Sequence, residues 1–334
     1  MVLVTGLEGR VCPGMARPYC CVARGSSPAG TGGVQVPGQA PGALPPHPAR
    51  PWRCRMKLDP QLERVRLTYD GAAPTYDQSY RPGAGLKGLM WEAYQTVTWK
   101  LIRDRLPSPT AGARALDAGG GTGRWAALLA REGLRLTILD LSPGMLEQAR
   151  ARFADLGLAP PELVEGSITS LPFPDGAFDF VLCEGDPVSY CGPQYSQAIS
   201  ELVRVARPGA HLVLGLDNRV AYFVDLLRSR GLAEALDHLE RGIGLCPYGM
   251  EVMTFTPRML DRELDSAGAD LLEVQGKPLL TSLLLWVDRA QAERASGDEG
   301  LRARLIAAEQ ALLSEGYRGL GGHLHAVARK RGPA

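Results

Sequence analysis

Two carboxylates 23 residues apart, Asp117 and Asp140, bracket the stretch of this sequence best equipped for chemistry. Gly119, Gly120, Gly121 and Gly123 follow the first acid within six positions. Glycines in such a turn let the backbone approach a bound molecule where any Cβ would collide, and they permit positive φ. The apolar run 113–116 leads into Asp117, residues 124–131 have helical spacing, and 134–139 reads as a second strand ending at Asp140. Strand, glycine turn, helix, strand and acid form the opening of a nucleotide-binding sheet. A carboxylate at the tip of its second strand is placed to accept both hydroxyls of a ribose.

The spacing narrows the nucleotide. A dinucleotide fingerprint is G-x-G-x-x-G, its third glycine allowing tight helix packing beside a pyrophosphate. Here Arg124 stands at that position, and Asp117 precedes the turn, where it would repel a pyrophosphate and attract a cationic amino-acid group. Asp117-x-Gly119-x-Gly121-x-Gly123 resembles the first motif of the class I S-adenosylmethionine (SAM) methyltransferases, in particular their type 11 domain. Phe173-Pro174-Asp175-Gly176-Ala177-Phe178-Asp179 and ELVRVARPGAHLVL (201–214) resemble later signatures of the same family. The resemblance implies SAM as cofactor. It further implies that Asp117, Ala118, Gly119, Gly121 and Gly123 meet the methionine moiety, and that Asp140 with Leu141 holds the ribose. Met145 would lie near ribose and adenine, and Ser167 with Ile168 at the adenine. Relatives often carry an acid where Ser167 stands, so that contact departs from the pattern.

Methyl transfer from a sulfonium is a direct displacement with an activated leaving group, so alignment and desolvation can supply most of the acceleration. A base is needed only where the acceptor must lose a proton. Candidates are Glu184, Asp186, Tyr190, Asp217, His323 and His325. Glu184 suits cofactor contact; Asp186 and Tyr190, in the loop after the fourth strand, are the expected catalytic pair. His323 and His325 alternate on a strand and face one side, an arrangement expected to be half exposed and structural. His211 and His238 read as surface or core residues. No His/Cys set has metal-ligand spacing, so no metal is expected.

The elements that must position these residues arrive in a doubly wound order. Ser142 and Pro143 start a helix that Gly157 stops. Strands follow at 162–165 and 178–183, a helix at 194–206, a turn at 207–210 and a fifth strand at 211–216. Residues 217–256 read as a largely helical insertion roofing the site. Then come a helix from Thr256-Pro257 to Gly268, a sixth strand at 271–275, an apolar stretch 276–286, a helix at 301–313 and a closing strand at 322–330. The expected fold is α/β, a Rossmann-like seven-stranded sheet with helices on both faces and a helical insertion after strand five; the family implies that the seventh strand is antiparallel. Ahead of it, the turn-rich 66–82 and a helix at 86–106 resemble the N-terminal cap that closes over cofactor and substrate in small-molecule methyltransferases.

The charge is unevenly spread. Residues 1–55 carry six arginines and one acid amid Gly, Pro and Ala, whereas 56–334 hold 31 basic and 35 acidic residues. The first segment is expected to be a disordered, low-complexity extension and an upstream translation artefact, and 56–334 the SAM-dependent domain. Seven scattered cysteines form no C-x-x-C and suit a reducing, cytoplasmic compartment. No apolar run approaches a membrane span, and nothing demands an obligate protein partner. A net-acidic domain has no global electrostatic pull toward nucleic acid, and the expected acceptor is a small metabolite or quinone-like ring. EGYRGLGGHLHAVARK (315–330) more weakly resembles bacterial tRNA methyltransferases that esterify wobble uridine-5-oxyacetic acid, which implies a tRNA acceptor as an alternative. A SAM-binding protein without catalysis is the other.

Overall fold

The computed structural model describes residues 58–80, 85–108, 112–246, 248–314 and 320–332; the expectations for residues 1–55 lie outside them. Two helices come first, α1 (Pro60–Ala72) and α2 (Gly85–Arg103), joined through a 3₁₀ turn at Tyr76–Tyr80. The chain then alternates through β1 (Arg114–Ala118), α3 (Arg124–Arg131), β2 (Arg135–Asp140), α4 (Pro143–Asp155), β3 (Glu162–Glu165), β4 (Phe178–Cys183), α5 (Tyr195–Val205) and β5 (Ala206–Asp217). The insertion follows as α6 (Arg219–Ser229), α7 (Leu232–Arg241) and the hairpin β6 (Ile243–Leu245)–β7 (Glu251–Met253). The chain closes with α8 (Pro257–Ala267), β8 (Ala269–Lys277), α9 (Leu280–Val287), α10 (Arg289–Gly297), α11 (Glu299–Ser314) and β9 (His323–Lys330).

The seven-stranded sheet has the order β3-β2-β1-β4-β5-β9-β8. Pairings from β3 to β5 are parallel, and β9 runs antiparallel to both β5 and β8. Strand alternation divides the core into two layers. Leu116, Val181, Leu212, Leu214 and Leu216 face one way toward α5 and α8, while Ala115, Phe180, Leu182 and Val213 face α2, α3 and α4. Phe153, Phe178, Phe180 and Phe255 are fully buried, each contributing about 1.5–3 kcal/mol. On β9 the odd residue Val327 faces the α2 side, so His323 and His325 share that side.

Local signals account for the helix ends. Ser142 accepts from Met145 N and Pro143 opens α4; Thr256 accepts from Met259 N and Gly268 closes α8 in the left-handed region. Four differences from the sequence reading are informative. Residues 66–72 are helical rather than turn-rich, because Asp59 caps Gln61 N and Leu62 N and Pro60 starts the helix there. Arg207–Ala210 lies inside the span of β5, at a break in its register with β4. The insertion ends in a β-hairpin, whose cross-strand bonds local periodicity cannot reveal. Finally, β8 extends to Lys277 because it pairs with all of β9, drawing a lysine into the sheet.

Candidate functional site at the carboxyl ends of the strands

At the first crossover, Asp117 is completely buried in β1. Its Oδ2 accepts from Ala126 N (3.1 Å), tying the strand to the first turn of α3, and its Oδ1 has no partner. Burial pushes this carboxyl up to about 7. The loop is clamped onto β2 because Gly119 N and Gly120 N both donate to Leu139 O (2.7 and 3.1 Å). A Cβ at Gly119 would sit 2.5 Å from Pro187 Cγ, so the β1 loop and the β4 loop touch there. At Gly121 (φ +54) a Cβ would meet nothing within 4 Å, leaving open space beside the loop. Asp140 accepts from Gly121 N (2.9 Å) and Ser142 N (2.8 Å), and burial raises it to about 6. The Leu141 amide also bears on it, and of the about four acceptor positions of a carboxylate one or two remain.

Around them, Ala118, Met145 and Ile168 are buried and Leu141 is half-buried. The Ser167 hydroxyl is engaged with Thr169 Oγ1 (2.7 Å) and accepts from Thr169 N (3.2 Å), which fixes its own turn. The residues expected around one cofactor are thus gathered along β1, β2 and the segment after β3.

The N-terminal segment is latched onto this loop by groups that the sequence reading did not single out. Asp77 accepts from Thr122 Oγ1 (3.0 Å) and pairs with Arg152 and, at 3.5 Å, Arg124. Asp70 accepts from Ser142 Oγ (2.9 Å) and Gly144 N (2.7 Å). The Arg124 guanidinium lies over Trp91 at 3.9 Å and Tyr80 at 4.4 Å, so the side chain standing in place of a third glycine fills an aromatic box. These partners are 33 to 75 residues apart, beyond the reach of any local pattern.

Two histidine–carboxylate pairs occupy the ends of β4, β5 and β9. His325 Nδ1 donates to Glu184 Oε1 (2.7 Å), and Tyr94 of α2 donates to Glu184 Oε2 (2.6 Å). Both members of that pair are fully buried, with His325 Nε2 unpartnered and Lys277 beside them. Burial works to raise Glu184, but His325, Tyr94 and Lys277 outweigh it and hold it below the usual carboxylate value. Burial pushes His325 down to about 4 and Lys277 down to about 7. The carboxylate expected to contact the cofactor is therefore already engaged by protein on both oxygens.

Two residues earlier, His323 Nδ1 lies 3.0 Å from Asp186 Oδ2, with 32% of its side chain exposed. Partial burial works to lower it; the Asp186 carboxylate outweighs that and raises it to about 9. Asp186 adopts φ +67, unique among the described non-glycine residues. Asp217, opposite His323 in the β5–β9 register, is pushed up to about 8 by burial and then by Asp186. Its side chain bonds Ser189 and Tyr222. Donor atoms of Asp186, Asp217 and His323 lie within 4.8 Å of one another, the one set among the described residues able to hold a cation. Three separate segments supply them, so no metal-ligand spacing along the chain marks the set. Tyr190 is half-buried, edge-on to Tyr69 at 5.7 Å, and its hydroxyl pairs with that tyrosine rather than with the acids. The two histidines do not share the half-exposed setting expected: His325 is sealed and His323 is partly exposed, each bonded to a carboxylate of the segment after β4. His238, by contrast, is buried and bonds Ile243 O (2.9 Å). A cavity of about 500 Å³ opens elsewhere, between α2 and Leu128 of α3, and includes neither the glycine loop nor these acids.

Residues 115–209 match the family described as the methyltransferase domain. Dependence on SAM is a property of this family. The chain is 30% identical over 160 residues to a demethylmenaquinone methyltransferase of Renibacterium salmoninarum, covering 48% of this chain and 61% of that one. It is likewise 30% identical over 153 residues to one of Listeria monocytogenes, covering 45% and 60%. The chain therefore spans about three-fifths of the length of the curated relatives it matches. Among solved structures, the [4+2]-cyclase SpnF superposes with a TM-score of 0.55 at 20% identity, covering 82% of this chain and 98% of that one. Magnesium protoporphyrin IX methyltransferase from Synechocystis PCC 6803 with bound S-adenosylhomocysteine superposes with 0.53 at 14%, covering 81% and 99%. These likenesses establish the methyltransferase fold. No helix among the described residues is long and apolar enough to cross a membrane.

Proposed function

We propose that this protein transfers a methyl group from SAM to a small-molecule acceptor, a metabolite or quinone-like ring, by direct displacement. The observation that carries the reading is the first crossover. Asp117 offers a buried, unpartnered carboxylate oxygen to a cationic amino-acid group, and Asp140 keeps free acceptor positions for ribose hydroxyls 19 residues from Gly121 N, which it fixes. An isolated buried carboxylate is costly and gains from a cation. The sulfonium cofactor, when bound, supplies an activated methyl group. In this reading Asp117, Ala118, Gly119, Gly121 and Gly123 receive its methionine end, Asp140 and Leu141 its ribose, and Met145, Ser167 and Ile168 its base. Glu184 backs the pocket by fixing Tyr94 and His325, while Asp186 and Tyr190 border the acceptor. The relatives named as demethylmenaquinone methyltransferases support a ring acceptor. The fold by itself does not fix the reaction, since a cyclase shares it.

Calorimetry on the full chain tests the cofactor. S-adenosylhomocysteine should bind, NAD should not, and Gly121→Val should abolish binding by placing a β-branched side chain at positive φ in the open space beside the loop. Radiolabelled methyl transfer from SAM into cell extract should label the small-molecule fraction; label confined to RNA or protein would refute the acceptor class. Binding of NAD with no affinity for S-adenosylhomocysteine would refute the methyltransferase reading.

A further inference from the structure

The geometry points to His323, held by Asp186 and backed by Asp217, as the general base that takes a proton from the acceptor; on the ring acceptor proposed above, that proton sits on a ring hydroxyl, as in a phenol or hydroquinone. This rests on the methyltransferase reading and deepens it. Three observations carry it. First, His323 Nδ1 is committed to Asp186, while its Nε2 has no hydrogen-bond partner among the described residues and the side chain is 32% exposed. A carboxylate on one ring nitrogen fixes the tautomer and orientation that leave the other nitrogen to act. Second, Pro187, the residue after Asp186, fills the space directly in front of Gly119, so the pair adjoins the loop that receives the methionine end. Third, Asp186 holds φ +67, a conformation costly for a non-glycine residue and met at functional sites. His325 cannot serve, because it and Glu184 have no exposed side-chain surface.

The step balances as follows. The acceptor O–H bond breaks and its proton passes to His323 Nε2. The released electron pair, on oxygen or delocalised to a ring carbon, forms the bond to the methyl carbon. The carbon–sulfur bond breaks with its pair retained by sulfur, leaving neutral S-adenosylhomocysteine. For C-methylation the displaced ring proton leaves to solvent as the ring regains aromaticity. The groups facing His323 are Asp186 from the β4 loop, Asp217 at the end of β5, Glu184 at the end of β4, the Tyr94 ring of α2 at 5.3 Å and His325 on its own strand. Lys277 lies opposite it in the β8 register, with its ammonium nearest Val97 O. The Asp186 and Asp217 carboxylates favour the imidazolium; a sulfonium nearby disfavours it and readies the base.

The test follows the imidazole titration of ¹⁵N-histidine-labelled full-length protein by NMR, with SAM and with S-adenosylhomocysteine, His323→Gln serving to assign the signal. The His323 midpoint should be lower with the cationic cofactor than with the neutral product by about one pH unit; equal midpoints would overturn the proposal, whatever the acceptor. With the quinol form of a short-chain demethylmenaquinone as the probe, His323→Gln should lower kcat by about 10²–10³-fold. Asp186→Asn should lower kcat and shift its alkaline rise, with S-adenosylhomocysteine affinity within about twofold in both variants. A loss confined to that affinity, or a wild-type rate abolished by EDTA and restored by Mg²⁺, would overturn it, the latter by making the three side chains cation ligands. Failure of the wild type to bind S-adenosylhomocysteine would instead bring down the methyltransferase reading beneath it.

Discussion

His323 and His325 lie two residues apart on one strand and one face, each bonded through Nδ1 to a carboxylate from the Glu184–Asp186 segment. Their surroundings give them opposite properties. His325 is closed in by Tyr94, Glu184 and Lys277, so the cost of burying charge dominates and the imidazole is held neutral. His323 lies at the first position of β9, where the sheet ends, and faces two carboxylates at partial exposure, so attraction dominates and the imidazolium is favoured. One sequence pattern thus yields a structural pair and a reactive pair. Two residues along a strand is about 6–7 Å, enough to pass from the interior to the rim.

The largest effect that sharpens this contrast is on stability. Replacing His325 with Ala should lower the unfolding free energy by about 3–5 kcal/mol in urea titrations, because Glu184 is left buried with one partner fewer. An effect below about 1 kcal/mol would erase the distinction. The same asymmetry appears with pH. His325 has a folded value near 4, below the 6.5 of an unfolded histidine, so its contribution is complete above about pH 6.5 and is lost as pH falls toward 4. Unfolding measured at pH 7 and pH 4.5 should therefore be less pH-dependent in the His325→Ala variant. At the open pair, His323→Gln should lower stability by less than His325→Ala, because the ring is partly exposed and a glutamine amide can still donate to Asp186. It should do so while lowering kcat; a melting shift as large as that of His325→Ala would merge the two pairs.

Smaller effects belong to the cofactor loop and should leave both pairs unaltered. Asp140→Ala should weaken S-adenosylhomocysteine binding by about 1–3 kcal/mol through lost charged hydrogen bonds, without altering the pH dependence of kcat. Asp77→Asn, which loosens the latch among Thr122, Arg124 and Arg152, should weaken it by about 1 kcal/mol or less in the same calorimetric assay.

The loop Asp117–Gly123, the acid Asp140, the capped starts of α4 and α8 and the alternating order of strands and helices were all legible in the sequence. Each is specified by residues close together in the chain: glycines that permit positive φ, hydroxyls that cap the next turn, apolar residues at strand or helix period. Tertiary structure alone decided which carboxylate meets which histidine, that Lys277 is buried among them, that Tyr190 pairs with Tyr69 and that Arg124 is boxed by Tyr80 and Trp91. Those contacts join segments separated by tens to well over a hundred residues, and their electrostatics depend on burial. Burial is a property of the packed sheet and its cap, and no local run of residues encodes it.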